Sequence, residues 1–83
     1  MKLVYFAWVR EKVGQSREDA APPADVATVG DLIAWLKGRG EGYAAAFDDA
    51  ARVRVAVNQE YATMDQPVAM GDEIAFFPPV TGG

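Results

Sequence analysis

One segment of this 83-residue sequence has the pattern of an amphipathic helix, and it restricts the possible folds more than any other feature. Thr28 and Asp31 have the spacing of a helix start, because the hydroxyl of Thr28 can cap the first turn and Asp31 adds a negative charge there. Apolar residues recur at i, i+3, i+4 and i+7, namely Val29, Leu32, Ile33 and Leu36. Three glycines then end the pattern: Gly38, Gly40 and Gly42. The segment predicts a helix of about three turns whose apolar stripe packs against a sheet.

Two segments outside this helix have the composition of strands. Residues 3–9 are rich in aromatic and β-branched residues, and we predict a strand there with apolar side chains on both faces. Such a strand lies at the centre of its sheet, or a partner covers its second face. Residues 52–57 alternate more regularly and predict a second strand, with Val53, Val55 and Val57 pointing inward.

The remaining segments have weaker patterns. In chain order they predict a turn at 10–15, an edge strand within 16–26, a helical turn within 43–51, a turn at 58–60, a short strand at 61–63, a turn at 70–72 and a last strand at 73–77. One helix packed across one face of a mixed sheet of four or five strands is the economical way to bury these apolar residues. We therefore predict an α+β fold, with the first and last strands side by side at the centre of the sheet.

The composition excludes several kinds of chemistry. The sequence contains no cysteine and no histidine, which rules out disulfides, thiolate catalysis, zinc sites with sulfur or nitrogen ligands and histidine relays. Its 12 acidic residues outnumber its 8 basic ones, the opposite of the balance that nucleic-acid binding favours. The apolar run at 3–9 is too short to span a membrane and has no small-residue cleavage site after it. We expect a cytoplasmic protein with no bound metal or cofactor and no nucleic-acid or membrane partner.

The C-terminal end of the sequence has the pattern of a functional tail. Pro78 and Pro79 lack an N–H group, so strand pairing fades after Phe77, and two prolines favour an extended chain. We predict a domain at 1–77 and an extended tail at 78–83. At about 3.3 Å per residue this tail spans about 20 Å, enough to enter the active site of a partner. The alternative is a frayed terminus without a function, but the two prolines and the compact β-rich domain before the glycines favour a functional tail.

A tail that ends in Gly82-Gly83 suits one kind of chemistry. Without side chains, its carboxylate can pass through a narrow channel. Adenylation turns a carboxylate into an acyl phosphate with a good leaving group. Sulfide can then displace AMP and leave a thiocarboxylate, which stores a sulfur nucleophile without any cysteine.

Residues 71–83 closely resemble the small, sulfur-carrying subunit of molybdopterin synthase, and segments 6–14 and 56–59 resemble the same family. The resemblance implies a ubiquitin-like β-grasp fold. It implies that an ATP-dependent adenylyltransferase, related to ubiquitin-activating enzymes, activates the terminal glycine. The thiocarboxylate then donates sulfur to a cyclic pyranopterin precursor. In that family the tail inserts into a larger partner subunit, and two copies of each form a heterotetramer.

The resemblance also implies which residues act. Gly83 is the carrier residue, and Val80, Thr81 and Gly82 line the insertion. The adjoining interface is expected to include Phe76, Phe77, Pro78 and Pro79, and strand alternation adds Trp8 to the expected partner-binding residues. Strand alternation leaves Phe76 open to a core role, because it shares a face with Ile74. Phe77 lies on the opposite face, where Trp8 on the first strand would extend an apolar patch. The adjacent Asp48 and Asp49 are expected in a solvated turn.

Several other functions share these features. The chain could carry sulfur for thiamine synthesis or tRNA thiolation, or it could be a ubiquitin-like modifier that joins Gly83 to a target lysine. It could also be an interaction module with an inert tail. An enzyme acting alone is disfavoured, because its hydroxyl and carboxylate candidates have no visible base or metal partner.

Overall fold

The computed structural model describes residues 1–79. Its elements in chain order are β1 Lys2–Tyr5, α1 Ala7–Val13, β2 Arg17–Asp19, α2 Val29–Lys37, α3 Glu41–Ala46, a 3₁₀ turn Ala50–Arg52, β3 Arg54–Val57, β4 Glu60–Ala62 and β5 Glu73–Phe77.

The five strands form one mixed sheet in the order β2-β1-β5-β3-β4. Strand β1 runs parallel to β5, whereas the other neighbouring strands are antiparallel. The first and last strands therefore lie side by side at the centre, as predicted, and the short strand β2 lies at one edge. This is the expected ubiquitin-like β-grasp arrangement.

Helix α2 begins at the predicted cap. The Thr28 hydroxyl accepts a hydrogen bond from the Asp31 N–H at 3.2 Å, and the Asp31 carboxylate accepts from the N–H groups of Ala27 and Thr28. The hydrogen bond from the Ala27 N–H and those from Thr28 hold the pKa of Asp31 below its usual range. All four residues of the apolar stripe are buried against the sheet.

The predicted strand at 3–9 is wrong beyond Tyr5. Phe6 is still extended and donates its N–H to the Phe76 carbonyl, but Ala7 then takes a positive φ of 51° and the chain enters helix α1. This helix buries Val9 and ends at Gly14, whose φ of 94° is left-handed. The charged residues predicted as a turn at 10–15 belong largely to its outer side. Tertiary packing of the helix outweighs the strand propensity of its first residues.

A third helix completes the layer that covers the sheet. Helix α3 packs against α1 so closely that a Cβ on Gly42 would lie 2.4 Å from the carbonyl oxygen of Lys12. Gly42 therefore serves this contact and does not end helix α2, which stops at Lys37. The single main helix that we predicted is accompanied by two shorter ones.

The core lies between this helical layer and one face of the sheet. Inward side chains of the strands, such as Leu3, Val55 and Ile74, join the stripe of α2 and Phe47 in one cluster. Strand β3 starts two residues later than predicted, because Arg52 belongs to the 3₁₀ turn, but Val53, Val55 and Val57 are all buried as expected.

Candidate functional site

The central strand β5 supplies both the core and the exposed surface next to the tail. Phe76 is fully buried, stacks on Tyr5 with ring centroids 5.7 Å apart, and meets Phe47 edge-on at 5.0 Å. Its side chain therefore belongs to the core with Ile74, which corrects the expectation of Phe76 at a surface contact. The alternation of the strand explains the difference, because every second residue faces the helices.

Phe77 lies on the opposite, uncovered face of the sheet and is half-buried. Its ring lies 5.9 Å from the ring of Tyr61 on β4, and Tyr61 is 81% exposed. Phe6 continues the register of β1 past Tyr5, so alternation places it on the same face near Phe77, and it is 48% exposed. We call these three aromatic residues, Phe6, Tyr61 and Phe77, the open-face patch.

The surroundings of the open-face patch give it a shape that suits a partner. Ala56 and Ala75 are paired across β3 and β5 on this face. Because their side chains are small, this part of the sheet surface lies lower than the aromatic rings near it. Arg54 lies directly across from Phe77 in the register and lines a groove of about 410 Å³ together with Tyr61, Thr63 and Phe77. Exposed aromatic residues beside an arginine are the composition that protein interfaces favour.

Trp8 does not extend this patch. It lies on α1, packs against the helical side of the core, and has the Arg52 guanidinium 5.6 Å from its ring centre. The expected neighbourhood of Trp8 and Phe77 is wrong because residues 7–9 are helical and not part of β1. Asp48 and Asp49 are exposed in a turn, as expected, and the Asp49 carboxylate accepts from the N–H of Ala51 at 3.2 Å.

The predicted tail begins where β5 ends. Pro78 and Pro79 directly follow the last paired residue and are half-buried. Val80, Thr81, Gly82 and Gly83 lie outside the described residues, so their roles stay predictions.

Sequence reasoning missed two members of the open-face patch. The sequence predicts Phe6 in the middle of a longer strand, and the structure leaves the face on which it lies uncovered. Tyr61 lies in a three-residue edge strand, and its position became informative only when the pairing Ala56↔Tyr61 put it on the uncovered face. The sequence signal that could have pointed to Tyr61 is its position as a single aromatic residue in a short polar strand.

Residues 1–79 include no cluster of three acidic, histidine or cysteine side chains that could hold a metal ion. Among these residues, no helix is both long and apolar enough to cross a membrane.

The sequence profile of the ThiS family matches residues 3–83, which is nearly the whole chain. The chain belongs to the ThiS family. This family member is 42% identical to the molybdopterin synthase sulfur carrier subunit of Escherichia coli, over 100% of this chain and 99% of that protein. The resemblance found in the sequence is confirmed.

Solved structures agree with the fold of this ThiS family member. Subunit 1 of a molybdopterin converting factor from Pyrococcus furiosus matches with a TM-score of 0.77 and 33% identity, over 95% of each chain. Small archaeal modifier protein 1 of Haloferax volcanii matches with a TM-score of 0.75 and 29% identity, over 96% of this chain and 97% of that one. The predicted β-grasp fold is confirmed.

Proposed function

We propose that this chain is the sulfur carrier of a molybdopterin synthase and that Gly83 carries the sulfur. The observation that supports this best is the end-to-end match to the Escherichia coli sulfur carrier subunit at 42% identity. The family match also runs through residue 83, so it includes the glycines on which the chemistry depends.

The proposed reaction begins on an activating partner that binds ATP. A Gly83 carboxylate oxygen attacks the α-phosphorus of ATP, pyrophosphate leaves, and an acyl adenylate forms. A sulfide donor then attacks the acyl carbon and AMP leaves with the bonding electrons, so a C–S bond replaces a C–O bond. The thiocarboxylate sulfur then forms a C–S bond to a cyclic pyranopterin precursor, and water cleaves the bond between this sulfur and the Gly83 carbonyl carbon, which restores the carboxylate. The chain itself holds no cofactor in this scheme.

The catalytic pocket of the sulfur-transfer step belongs, in this proposal, to the large subunit of the synthase. The chain has no histidine or cysteine that could act as a base or nucleophile near neutral pH. Its contribution is a rigid central strand that delivers the tail. Six residues from Pro78 onward span about 20 Å at about 3.3 Å each, enough to reach a recessed site.

The open-face patch is the proposed docking surface for the large subunit. It surrounds the end of β5, so a partner that binds Phe77 and Tyr61 lies next to the start of the tail. Binding there raises the effective concentration of the tail at the entrance of its channel, because β5 holds the start of the tail next to the docked surface.

A ubiquitin-like modifier is the second candidate. The likeness to small archaeal modifier protein 1 of Haloferax volcanii supports it. The activation of Gly83 is the same, but the acyl group then passes to a lysine amine and forms an isopeptide bond.

The deciding experiment combines the chain with its adenylyltransferase, ATP and a sulfide source, followed by intact-mass measurement. We expect replacement of one oxygen by sulfur, located at Gly83 by fragmentation. A variant without Gly82-Gly83 is the control and should stay unchanged. An unmodified chain beside an adenylyltransferase that modifies a known carrier would contradict the proposal.

The acceptor is tested next, with the purified thiocarboxylate form. We expect turnover with the pyranopterin precursor and the large subunit. Turnover only with a thiazole or tRNA acceptor would assign the carrier to another pathway. Thiol-resistant adducts on lysines that need Gly83 would favour the modifier.

A further inference from the structure

A carboxylate on the edge of the sheet collects hydrogen bonds from three separate parts of the chain. Glu18 on β2 lies opposite Leu3 in the register, so its side chain points toward the helical layer, where it is 12% exposed. Its carboxylate accepts from four side chains: Tyr5 at 2.8 Å, Tyr43 at 2.6 Å, Gln15 at 3.1 Å and Arg39 at 2.7 Å. We call these five residues the Glu18 cluster.

Arg39 supplies the positive charge that pairs with the Glu18 carboxylate in the Glu18 cluster. Its guanidinium forms the ion pair with Glu18 and lies 4.9 Å from the ring centre of Trp35 and 5.0 Å from that of Tyr43. Burial alone would raise the pKa of Glu18, but the hydrogen bonds from Tyr43, Arg39 and Tyr5 outweigh it and hold this pKa below its usual range. The carboxylate is therefore charged at neutral pH, and it ties β2 to the connection between α2 and α3.

Tyr5 links this cluster to the central strand. Its hydroxyl donates to Glu18, whereas its ring lies against Phe76 at 5.7 Å with planes only 15° apart. The same ring meets Tyr43 edge-on at 6.4 Å. The Tyr5 side chain is thus fixed twice: its hydroxyl hydrogen-bonds to the Glu18 carboxylate, and its ring packs on Phe76 in the core.

The residues next to this stacked pair form most of the open-face patch. Phe6 follows Tyr5 and Phe77 follows Phe76, and the Phe6 N–H donates to the Phe76 carbonyl at 3.0 Å. Because side chains alternate along extended chain, a displacement of the inward pair Tyr5–Phe76 moves the outward pair Phe6 and Phe77 as well.

We propose that the Glu18 cluster is a positioning network, which sets the geometry of the open-face patch from the opposite face of the sheet. Glu18 and Arg39 are positioning residues that act through Tyr5 and Phe76. Docking of the large subunit then meets a pre-organised surface and loses less side-chain freedom. The effect on docking rests on the proposed function, but the effect on the patch does not.

Two variants interrupt the network while keeping its shape. Glu18→Gln keeps the size of the side chain but removes the charge and replaces one acceptor oxygen by a donor. Tyr5→Phe removes one hydroxyl and leaves the ring on Phe76. The control is Val29→Ala at the other end of α2, which lowers stability by deleting a buried group far from the cluster.

The first measurement uses the free chain and needs no partner. Hydrogen exchange of the Phe6 N–H and NMR signals of the Phe77 ring report the geometry of the open-face patch. At a temperature where all variants are folded, we expect Glu18→Gln and Tyr5→Phe to change both signals, and Val29→Ala to change neither. Unchanged signals in Glu18→Gln would overturn the proposal.

The second measurement is the dissociation constant for the purified large subunit. Glu18→Gln should raise it about tenfold, as expected when a charge-assisted hydrogen bond is lost, and Val29→Ala should leave it unchanged. An equal loss of affinity in Val29→Ala would mean that general stability is responsible, which contradicts a positioning role. Failure of the wild-type chain to bind would refute the proposed function and leave the free-chain result valid.

Discussion

The two faces of the sheet are built from the same strands, yet they serve opposite purposes. On the covered face, Phe76 and Tyr5 stack in a buried core beneath three helices. On the open face, the neighbouring Phe77 and Phe6 remain accessible beside an exposed Tyr61. On this strand, a shift of one residue moves a side chain from the buried core to the exposed face, where a partner can reach it.

The largest expected effect is on the covered face. Phe76→Ala should lower the free energy of unfolding by about 3–5 kcal/mol, because it leaves a cavity between Tyr5 and Phe47. Urea unfolding followed by circular dichroism measures this change. Phe77→Ala is the matched control, with an expected loss of about 1 kcal/mol or less because Phe77 is only half-buried. Equal losses in the two variants would break the comparison between the faces.

A second test concerns the packing of the helices that cover the sheet. Gly42→Ala should destabilise the chain by about 1–3 kcal/mol, because the new Cβ meets the Lys12 carbonyl at 2.4 Å and must push α1 away from α3. Gly38→Ala is the control, since its nearest neighbour would be the Trp35 carbonyl at 3.5 Å, an ordinary contact. Thermal unfolding of both variants decides this prediction. A stable Gly42→Ala variant would show that the two helices can separate freely.

Substitutions on the open face should change the affinity for the large subunit more than the stability of the chain. Tyr61→Ala removes an aromatic side chain that is 81% exposed, so its unfolding curve should hardly move. Its affinity for the large subunit should fall about tenfold or more if Tyr61 is a central contact. Isothermal titration calorimetry measures this, with the exposed Met70→Ala as control outside the patch. Unchanged affinity in Tyr61→Ala would place the docking surface elsewhere.

The stability of the chain should depend on pH through Glu18, at the edge of the covered face. Because the pKa of Glu18 is lower in the folded chain than its ordinary value of 4.5, the charged form stabilises the fold above that value. This contribution is lost as the pH falls below about 4.5 through the pKa of the folded state. Wild type should therefore lose more stability than Glu18→Gln between pH 6 and pH 3. Urea unfolding at each pH measures this, and equal losses of stability in wild type and Glu18→Gln would contradict the prediction.

The smallest expected effect is at the junction between β1 and α1. Ala7 has a φ of 51°, which strains a residue with a side chain by about 1–2 kcal/mol. Ala7→Gly relieves this strain, but glycine has more backbone freedom in the unfolded chain, which lowers stability by about 0.5–1 kcal/mol. We expect a net gain of about 0.5 kcal/mol, measured as a small rise in the urea midpoint. Ala45→Gly, inside α3, should instead destabilise the chain.

The sequence predicted those features that depend on local patterns. The cap at Thr28, the stripe of α2 and the alternation of β3 each follow from the spacing of a few residues, and the structure confirms them. Helix α1 was missed because Phe6 and Trp8 favour strands, whereas the fold needs Val9 in the core at this point. Three of the four partners of Glu18 lie 13 to 25 residues away in the sequence, so no local pattern could have revealed them.

The parallel pairing of β1 with β5 has a consequence for synthesis on the ribosome. Of the described elements, the central strand β5 is made last, so the edge of β1 that pairs with β5 stays unpaired until then. Contacts between the two ends of a chain form late in folding. A chain that stops before residue 73 lacks β5, the middle strand of the sheet, and we expect it to be sensitive to proteases. We therefore expect a chain to become stable only when it extends to the end of β5, at the base of the predicted tail.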